Sequence, residues 1–126
     1  MKHNDVGKFG EDAAAEFLVR NGYKILERNI HISHNEIDII AKNKKFLAFV
    51  EVKTRTVGSD LYSPYGTPAA AVTKQKQKRI IEAAKSYLYM KKYENLQPRL
   101  DVIEVYIDKE SGEIAKINHF EDAFWA

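Results

Sequence analysis

The chain has no cysteine among its 126 residues. That excludes disulfides, iron–sulfur clusters and thiolate zinc sites, and it fits a reducing compartment. No apolar run comes near the ~20 residues a membrane-crossing helix needs. The opening segment, MKHNDVGKFGEDAAAEFLV, carries acids where a signal peptide needs an apolar stretch. These absences predict a soluble, cytoplasmic protein with no membrane partner. There is also no internal repeat and no low-complexity segment. The length is near the commonest size for one domain, so residues 1–126 are expected to form a single domain around one core. With 44% hydrophobic and 30% charged residues, the composition is that of a globular protein and argues against disorder.

Acidic residues are scarce in one region. Residues 73–92 hold Lys74, Lys76, Lys78, Arg79, Lys85, Lys91 and Lys92 against Glu82 alone, a local +6 on a chain of net +2. Such a surface suits a phosphate-rich partner; a solvated helix face is the other reading of the same charges.

The hydrophobic spacing divides the chain into seven elements. A helix is expected over residues 5–20, capped by Asp5, with Val6, Phe9, Ala13 and Phe17 on its apolar face. Asn21-Gly22 supplies a left-handed stop. Strands are expected over 23–32, 35–41 and 46–53, the last two joined by a tight turn at Asn43-Lys44. Residues 55–72 lack periodicity and contain Gly58, Ser59, Pro64, Gly66 and Pro68, the mark of a functional or mobile connection. Thr73 caps a second helix to about residue 91, with Ile80, Ile81, Ala84 and Leu88 on its apolar side. Strands over 99–107 and 114–120 follow. The order α-β-β-β-α-β-β predicts an α/β sandwich with a mixed sheet.

The segment HNEIDIIAKNKKFLAFVEVKTR, residues 34–55, sets Glu36, Asp38, Glu51 and Lys53 into otherwise apolar strands. Strand alternation places Glu36 with Asp38 on one face, and Glu51 with Lys53 on one face. A two-residue turn at Asn43-Lys44 would pair Lys42 with Lys45, Glu36 with Glu51 and Asp38 with Phe49. All four charged residues then share a face, with Asp38 and Glu51 diagonal neighbours about 7–8 Å apart at the backbone. FLAFV is apolar on both faces, as in a central strand covered on both sides. Carboxylates at the end of such a strand are costly unless a cation offsets them. Oxygen-only ligands favour Mg²⁺ or Mn²⁺ over zinc. A Glu–Lys pair that merely reaches solvent at a strand end is the alternative.

An acid on one strand and E-x-K at the end of the next, here Asp38 and Glu51-Val52-Lys53, resembles the PD-(D/E)xK nuclease superfamily, which includes restriction endonucleases and archaeal Holliday-junction resolvases. A longer likeness runs from about Gly7 to Val105. GKFGEDAAAEFLVRNGYKILERN, NEIDIIA, FLAFVEVKTR, AVTKQKQKRI and RLDVIEV resemble the YraN family, bacterial proteins generally described as candidate endonucleases. Two departures stand out: Asn35 where that family usually has glycine, and Ala69-Ala70 where acids are common. Neither touches a candidate ligand.

The resemblance implies a restriction-endonuclease-like fold, an αβββαβ core with a central mixed sheet flanked by helices. It implies a DNA endonuclease that uses Mg²⁺ or Mn²⁺, structure-selective in repair or recombination. Asp38 and Glu51 would be the metal ligands, with the Val52 carbonyl as a third. Lys53 would orient the attacking water or stabilise phosphate charge. Glu11 and Gln77 match further site positions, and Glu36 is in the motif without an assigned role. Such chemistry needs no Ser or Cys nucleophile. A nuclease fold that grips nucleic acid or a protein partner without cutting is the alternative function. Cutting a junction would call for a symmetric homodimer, because one site cuts one strand at a time.

The remaining features sort around that reading. Lys74, Lys76 and Lys78 sit where a helix N-terminus disfavours cations, which suits phosphate contact. Lys74, Lys78 and Lys85 share a face suited to tracking a DNA backbone. Arg55, Tyr62 and Tyr65 would touch the duplex or a displaced base. Arg99 and Asp101 are expected to form a structural ion pair, and His31 and His34 to lie on the surface. Tyr87, Tyr89 and Tyr93 are expected to pack.

Overall fold

The structure, a computed structural model, describes residues 3–58, 72–91, 93 and 95–124. The elements run α1 (His3–Arg20), β1 (Lys24–Ile32), β2 (Asn35–Lys42), β3 (Phe46–Val57), α2 (Lys74–Lys91), β4 (Gln97–Asp108) and β5 (Ile114–Phe120), in the expected order. They form one five-stranded sheet ordered β1-β2-β3-β4-β5, antiparallel except for the parallel pair β3–β4. The fold is therefore α/β with a mixed sheet, consistent with a restriction-endonuclease-like core. Tyr62, Tyr65, Lys92 and most of the irregular connection lie outside the described residues. Residues 55–57 do not belong to that connection; they extend β3, paired with Tyr106, Ile107 and Asp108. No helix among the described residues is long and apolar enough to cross a membrane.

Alternation along the central strands explains the layers. Leu47, Phe49, Leu100 and Val102 join Ile80, Ile81, Ala84 and Tyr87 of α2 in one buried cluster. Ala48, Val50, Ile103 and Val105 join Ala14 and Leu18 of α1 in another. Residues of opposite parity thus face opposite helices, and β3 is covered on both sides as FLAFV implies. Tyr87 is buried and stacks on Tyr93 at 6.3 Å between ring centroids. Tyr89 does not pack: at 84% exposed it leaves α2 on the side opposite the core.

The helix termini follow local chemistry. Gly22 has a φ of 90°, Gly22 N–H donates to the Val19 carbonyl at 3.1 Å and Tyr23 N–H to the Leu18 carbonyl at 3.0 Å. This double bond pattern past a left-handed glycine closes the orphan carbonyls of α1. Thr73 Oγ1 accepts from Lys76 N–H at 3.1 Å and caps α2. Asp5 does not cap α1; the helix begins at His3 and Asp5 lies in its first turn, where a negative charge favours the dipole.

The expected apolar face of α1 is displaced by about one position. Val6, Phe9, Ala13 and Phe17 are only partly buried, while Gly10, Ala14 and Leu18 lie against the sheet. Close approach explains it. A Cβ on Gly10 would stand 2.0 Å from Thr54 Oγ1, so only glycine lets the helix rest on β3 there.

The β2–β3 register differs from expectation by two residues. Ile39 pairs with Val50, Ile40 with Phe49 and Lys42 with Leu47. Asn43 is not a central turn residue. Its Oδ1 accepts from Lys45 N–H at 2.9 Å and Phe46 N–H at 2.7 Å, and its own N–H donates to the Phe46 carbonyl. The side chain thus builds the turn from its first position, and Lys44-Lys45 form the tip. Because the slip is two residues, the pairing changes but the faces do not over the paired stretch, Ile39 to Lys42. The ladder ends at Ile39–Val50, so the expected pairs of Asp38 with Phe49 and Glu36 with Glu51 do not form; Phe49 pairs with Ile40 instead.

Candidate active site

Asp38 sits where β2 loses its regularity. Ile37 and Ile39 lie two residues apart yet join opposite clusters, so alternation breaks between them. Across from Asp38 on β1, between the pairs Arg28–Ile39 and Ile30–Ile37, stands Asn29 with a φ of 51°. Left-handed backbone at a non-glycine residue is uncommon and often marks a functional kink. The β2–β3 ladder ends at Ile39–Val50, and Val52 N–H donates to Asp38 Oδ2 at 2.8 Å instead of to a strand carbonyl. Asp38 is thereby wedged between the strands.

Glu51 is 3% exposed, and two lysines reach its Oε1: Lys53 Nζ at 3.5 Å and Lys76 Nζ at 2.7 Å. Glu11, Glu36, Asp38, Lys53 and Arg55 line an open cavity of about 400 Å³ beside the start of α1. Glu11 is held there from behind: its Oε1 accepts from Arg28 Nη2 at 3.1 Å and Asn29 Nδ2 at 2.8 Å. Asn29 therefore serves twice, as the kink opposite Asp38 and as a clamp on Glu11.

The electrostatics record an excess of negative charge. Burial, and then the adjacent Glu51 charge, push the Asp38 carboxyl up to about 7, against the lowering effect of the Val52 N–H bond. Burial pushes the Lys76 ammonium down, but the bond to Glu51 and the charges of Glu51, Asp38 and Glu36 outweigh it and leave it raised.

The structure brings Asp38, Val52, Lys53 and Glu11 to one cavity; Glu51 is not among its lining residues and joins them through Lys53 and through its charge beside Asp38. Glu36 is exposed and lines the same cavity, joining the constellation from its rim. Gln77 is turned to the start of its own helix, where its Nε2 donates to the Val72 carbonyl at 2.8 Å. Lys74, Lys78 and Lys85 are exposed on α2. Lys76 is part of the site itself, which its place in the +6 run did not reveal. Arg28 and Asn29 were also unforeseen; an Arg-Asn pair in a strand carries no sequence signal for a clamp.

A second charged cluster lies apart from the cavity. Asp101, fully buried, accepts from Arg99 Nε and Nη2, both at 2.9 Å, and from Asp122 N–H at 3.0 Å; His119 Nε2 lies 2.7 Å from its Oδ2. Arg99 also bonds to the Tyr23 hydroxyl. The expected structural ion pair is present.

Residues 10–105 match the model of the uncharacterised protein family UPF0102. The chain belongs to that family. Glu11, Asp38, Glu51, Val52, Lys53, Arg55, Gln77 and the four lysines of α2 named above all fall inside the matched span. UPF0102 relatives align over nearly their full length. A protein of Caldanaerobacter subterraneus subsp. tengcongensis is 43% identical over 119 residues, 94% of this chain and 93% of its own. One of Prosthecochloris aestuarii is 44% identical over 126 residues, 98% and 95% of the two chains. One of Clostridium perfringens is 45% identical over 124 residues, 98% and 97%.

Proposed function

We propose that this UPF0102 chain is a divalent-metal-dependent endonuclease that hydrolyses phosphodiester bonds in DNA. The observation that carries the reading is Asp38, pinned by Val52 N–H against Glu51 at the wall of an open cavity, with Lys53 3.5 Å from the same Glu51. That arrangement supports the likeness to the PD-(D/E)xK and YraN proteins drawn from the motif.

The residues fit a hard cation. Their donors are oxygens, and the raised Asp38 carboxyl marks negative charge in a low-dielectric place, which a cation would offset. Among the described residues no three His, Cys, Asp or Glu side chains converge on one point. Two carboxylates completed by waters, main chain and substrate phosphate suit Mg²⁺ or Mn²⁺ better than an all-side-chain zinc cage. Asp38 and Glu51 would hold the ion, with the Val52 carbonyl as a further oxygen. A bound cation acidifies water and neutralises phosphate charge.

The chain's own residues supply the rest. Lys53 places a positive charge beside Glu51, where it can orient water or stabilise charge on the phosphate. Glu11, fixed by Arg28 and Asn29, sets the far wall. Lys74, Lys78 and Lys85 give α2 a basic face for the DNA backbone, and Arg55 adds charge at the cavity. Cleavage of both strands of a branched substrate would require two copies.

The test is cleavage of branched, flapped and linear DNA with Mg²⁺ or Mn²⁺, comparing wild type with Asp38→Ala and Lys53→Ala. Both variants should lose cleavage. Metal-dependent activity undiminished in both sinks the assignment. Salt-sensitive DNA binding without cleavage, unchanged by Asp38→Ala, would instead identify a binding module.

A further inference from the structure

Lys76 differs from the other cations of α2. Among the described residues it alone of them forms an ion pair, and it does so from the first turn, where the helix macrodipole disfavours a cation. Its contact with Glu51 Oε1, 2.7 Å, is shorter than that of the motif lysine Lys53 at 3.5 Å. The two partners are unequal in burial. Glu51 is 3% exposed on a central strand, whereas the Lys76 side chain is 47% exposed on a flexible stem. The carboxylate cannot leave; the ammonium can withdraw into solvent at little cost. A carboxylate enclosed this way needs a cation at all times, because an unpaired buried charge is strongly unfavourable.

We propose that Lys76 is a place-holding cation, which occupies Glu51 while no divalent ion is bound and is displaced from it when one binds. The inference rests on reading Asp38 and Glu51 as ligands. It assigns Lys76 a different duty from Lys74 and Lys78: it competes with the metal, and only once displaced is it free for a phosphate. One positive charge leaves Glu51 as two arrive, and Lys53 stays beside the carboxylate throughout.

The test is titration of the purified protein with Mn²⁺ alone, followed by calorimetry and by the electron paramagnetic signal of free Mn²⁺. Wild type, Lys76→Met, Lys76→Gln and Asp38→Ala are compared. Both Lys76 variants should bind Mn²⁺ roughly tenfold more tightly than wild type, the scale of one charge-assisted hydrogen bond. Asp38→Ala should lose binding. Mn²⁺ affinity unchanged or weakened in both Lys76 variants overturns the proposal while leaving the metal reading intact. No Mn²⁺ binding by wild type or by either Lys76 variant overturns the metal reading and this proposal with it. Melting in EDTA gives a second readout. Both Lys76 variants should melt below wild type in EDTA and match it in saturating Mn²⁺. A deficit that persists in Mn²⁺ would make Lys76 an ordinary structural partner and overturn the proposal.

Discussion

Asp38 and Asp101 are both enclosed aspartates on neighbouring parts of one sheet, and their surroundings are opposite. Asp101 has a partner for every direction: Arg99 twice, His119 and the Asp122 amide. Burial, the largest single influence, pushes its carboxyl up, yet the bonds from His119, Arg99 and Asp122 outweigh burial and hold it below the usual carboxylate range. Asp38 has one main-chain donor and another carboxylate beside it, and its carboxyl is pushed up to about 7. The first cluster is closed chemistry that ties β5 and its exit to β4. The second is open chemistry: it sits at a cavity, short of positive charge. A buried charge is weak evidence for function by itself; a carboxylate left under-compensated beside a cavity marks a candidate functional site.

The comparison breaks most visibly at Asp101. Asp101→Asn leaves Arg99 enclosed without its carboxylate and should cost about 3–5 kcal/mol in chemical denaturation. The folded fraction should keep wild-type cleavage, because this cluster does not touch the cavity. Its pH signature is at the acid end. A folded-state carboxyl held below its unfolded value stabilises fully above that value, near 3.8, and loses the contribution as pH falls through the folded pKa. Wild type should therefore lose stability steeply below about pH 4, and Asp101→Asn less so.

Asp38→Asn should do the reverse. In EDTA at pH 8 the variant should be more stable than wild type by about 2 kcal/mol, while cleavage is abolished. The sign follows from the raised carboxyl. Between the unfolded value of 3.8 and the folded value of about 7, the folded protein binds more protons than the unfolded chain. Stability thus falls as pH rises through that window, and the amide removes the fall. Equal pH profiles for the two proteins would mean that Asp38 is as well satisfied as Asp101.

Gly10 links the open site to its scaffold. Its contact with Thr54 sets how deeply α1 lies on β3, and Glu11 is the next residue. Gly10→Ala should cost about 1–2 kcal/mol and lower cleavage, because the helix must lift and carry Glu11 with it. The Asp101 cluster packs near the other end of α1, at Phe17 and Tyr23, and the His119 ring contacts to those residues should stay intact by NMR.

How much of this was legible follows from what each signal measures. Element order, the stop at Gly22 and the cap at Thr73 are local matters, and local chemistry decided them. Asp38 and Glu51 are neighbours although the turn is misplaced, but strand parity does not bring them there: β2 breaks its alternation between Ile37 and Ile39, beyond the last ladder pair Ile39–Val50. The partner depends on which residue starts the turn, and Asn43 acts there through its side chain rather than by a left-handed backbone. The face of α1 was read from large residues, but the closest contact belongs to small ones, Gly10 and Ala14, which apolar spacing undervalues. Asn29 and the grip of Lys76 on Glu51 are products of tertiary approach. The macrodipole penalty at Lys76 was visible as an oddity, but its cause lay on another strand, far back along the chain.

The smallest structural effect belongs to charges that are neither enclosed nor paired. Lys74 and Lys78 are exposed and form no ion pair among the described residues, so Lys74→Gln/Lys78→Gln should leave stability within about 0.5 kcal/mol. DNA affinity is where they should register. Neutralising one phosphate-binding lysine should lower the slope of log affinity against log salt by about 1, so the double variant should lower it by about 2 and bind weakly at all sequences alike. Lys76→Gln separates from this pair in EDTA, where the wild-type ammonium is held by Glu51 and not by phosphate. There its removal should change DNA affinity less than removal of either neighbour. If all three lysines instead contribute equally to the salt slope in EDTA, the basic helix is one uniform surface and the contact between Lys76 and Glu51 has no hold on function.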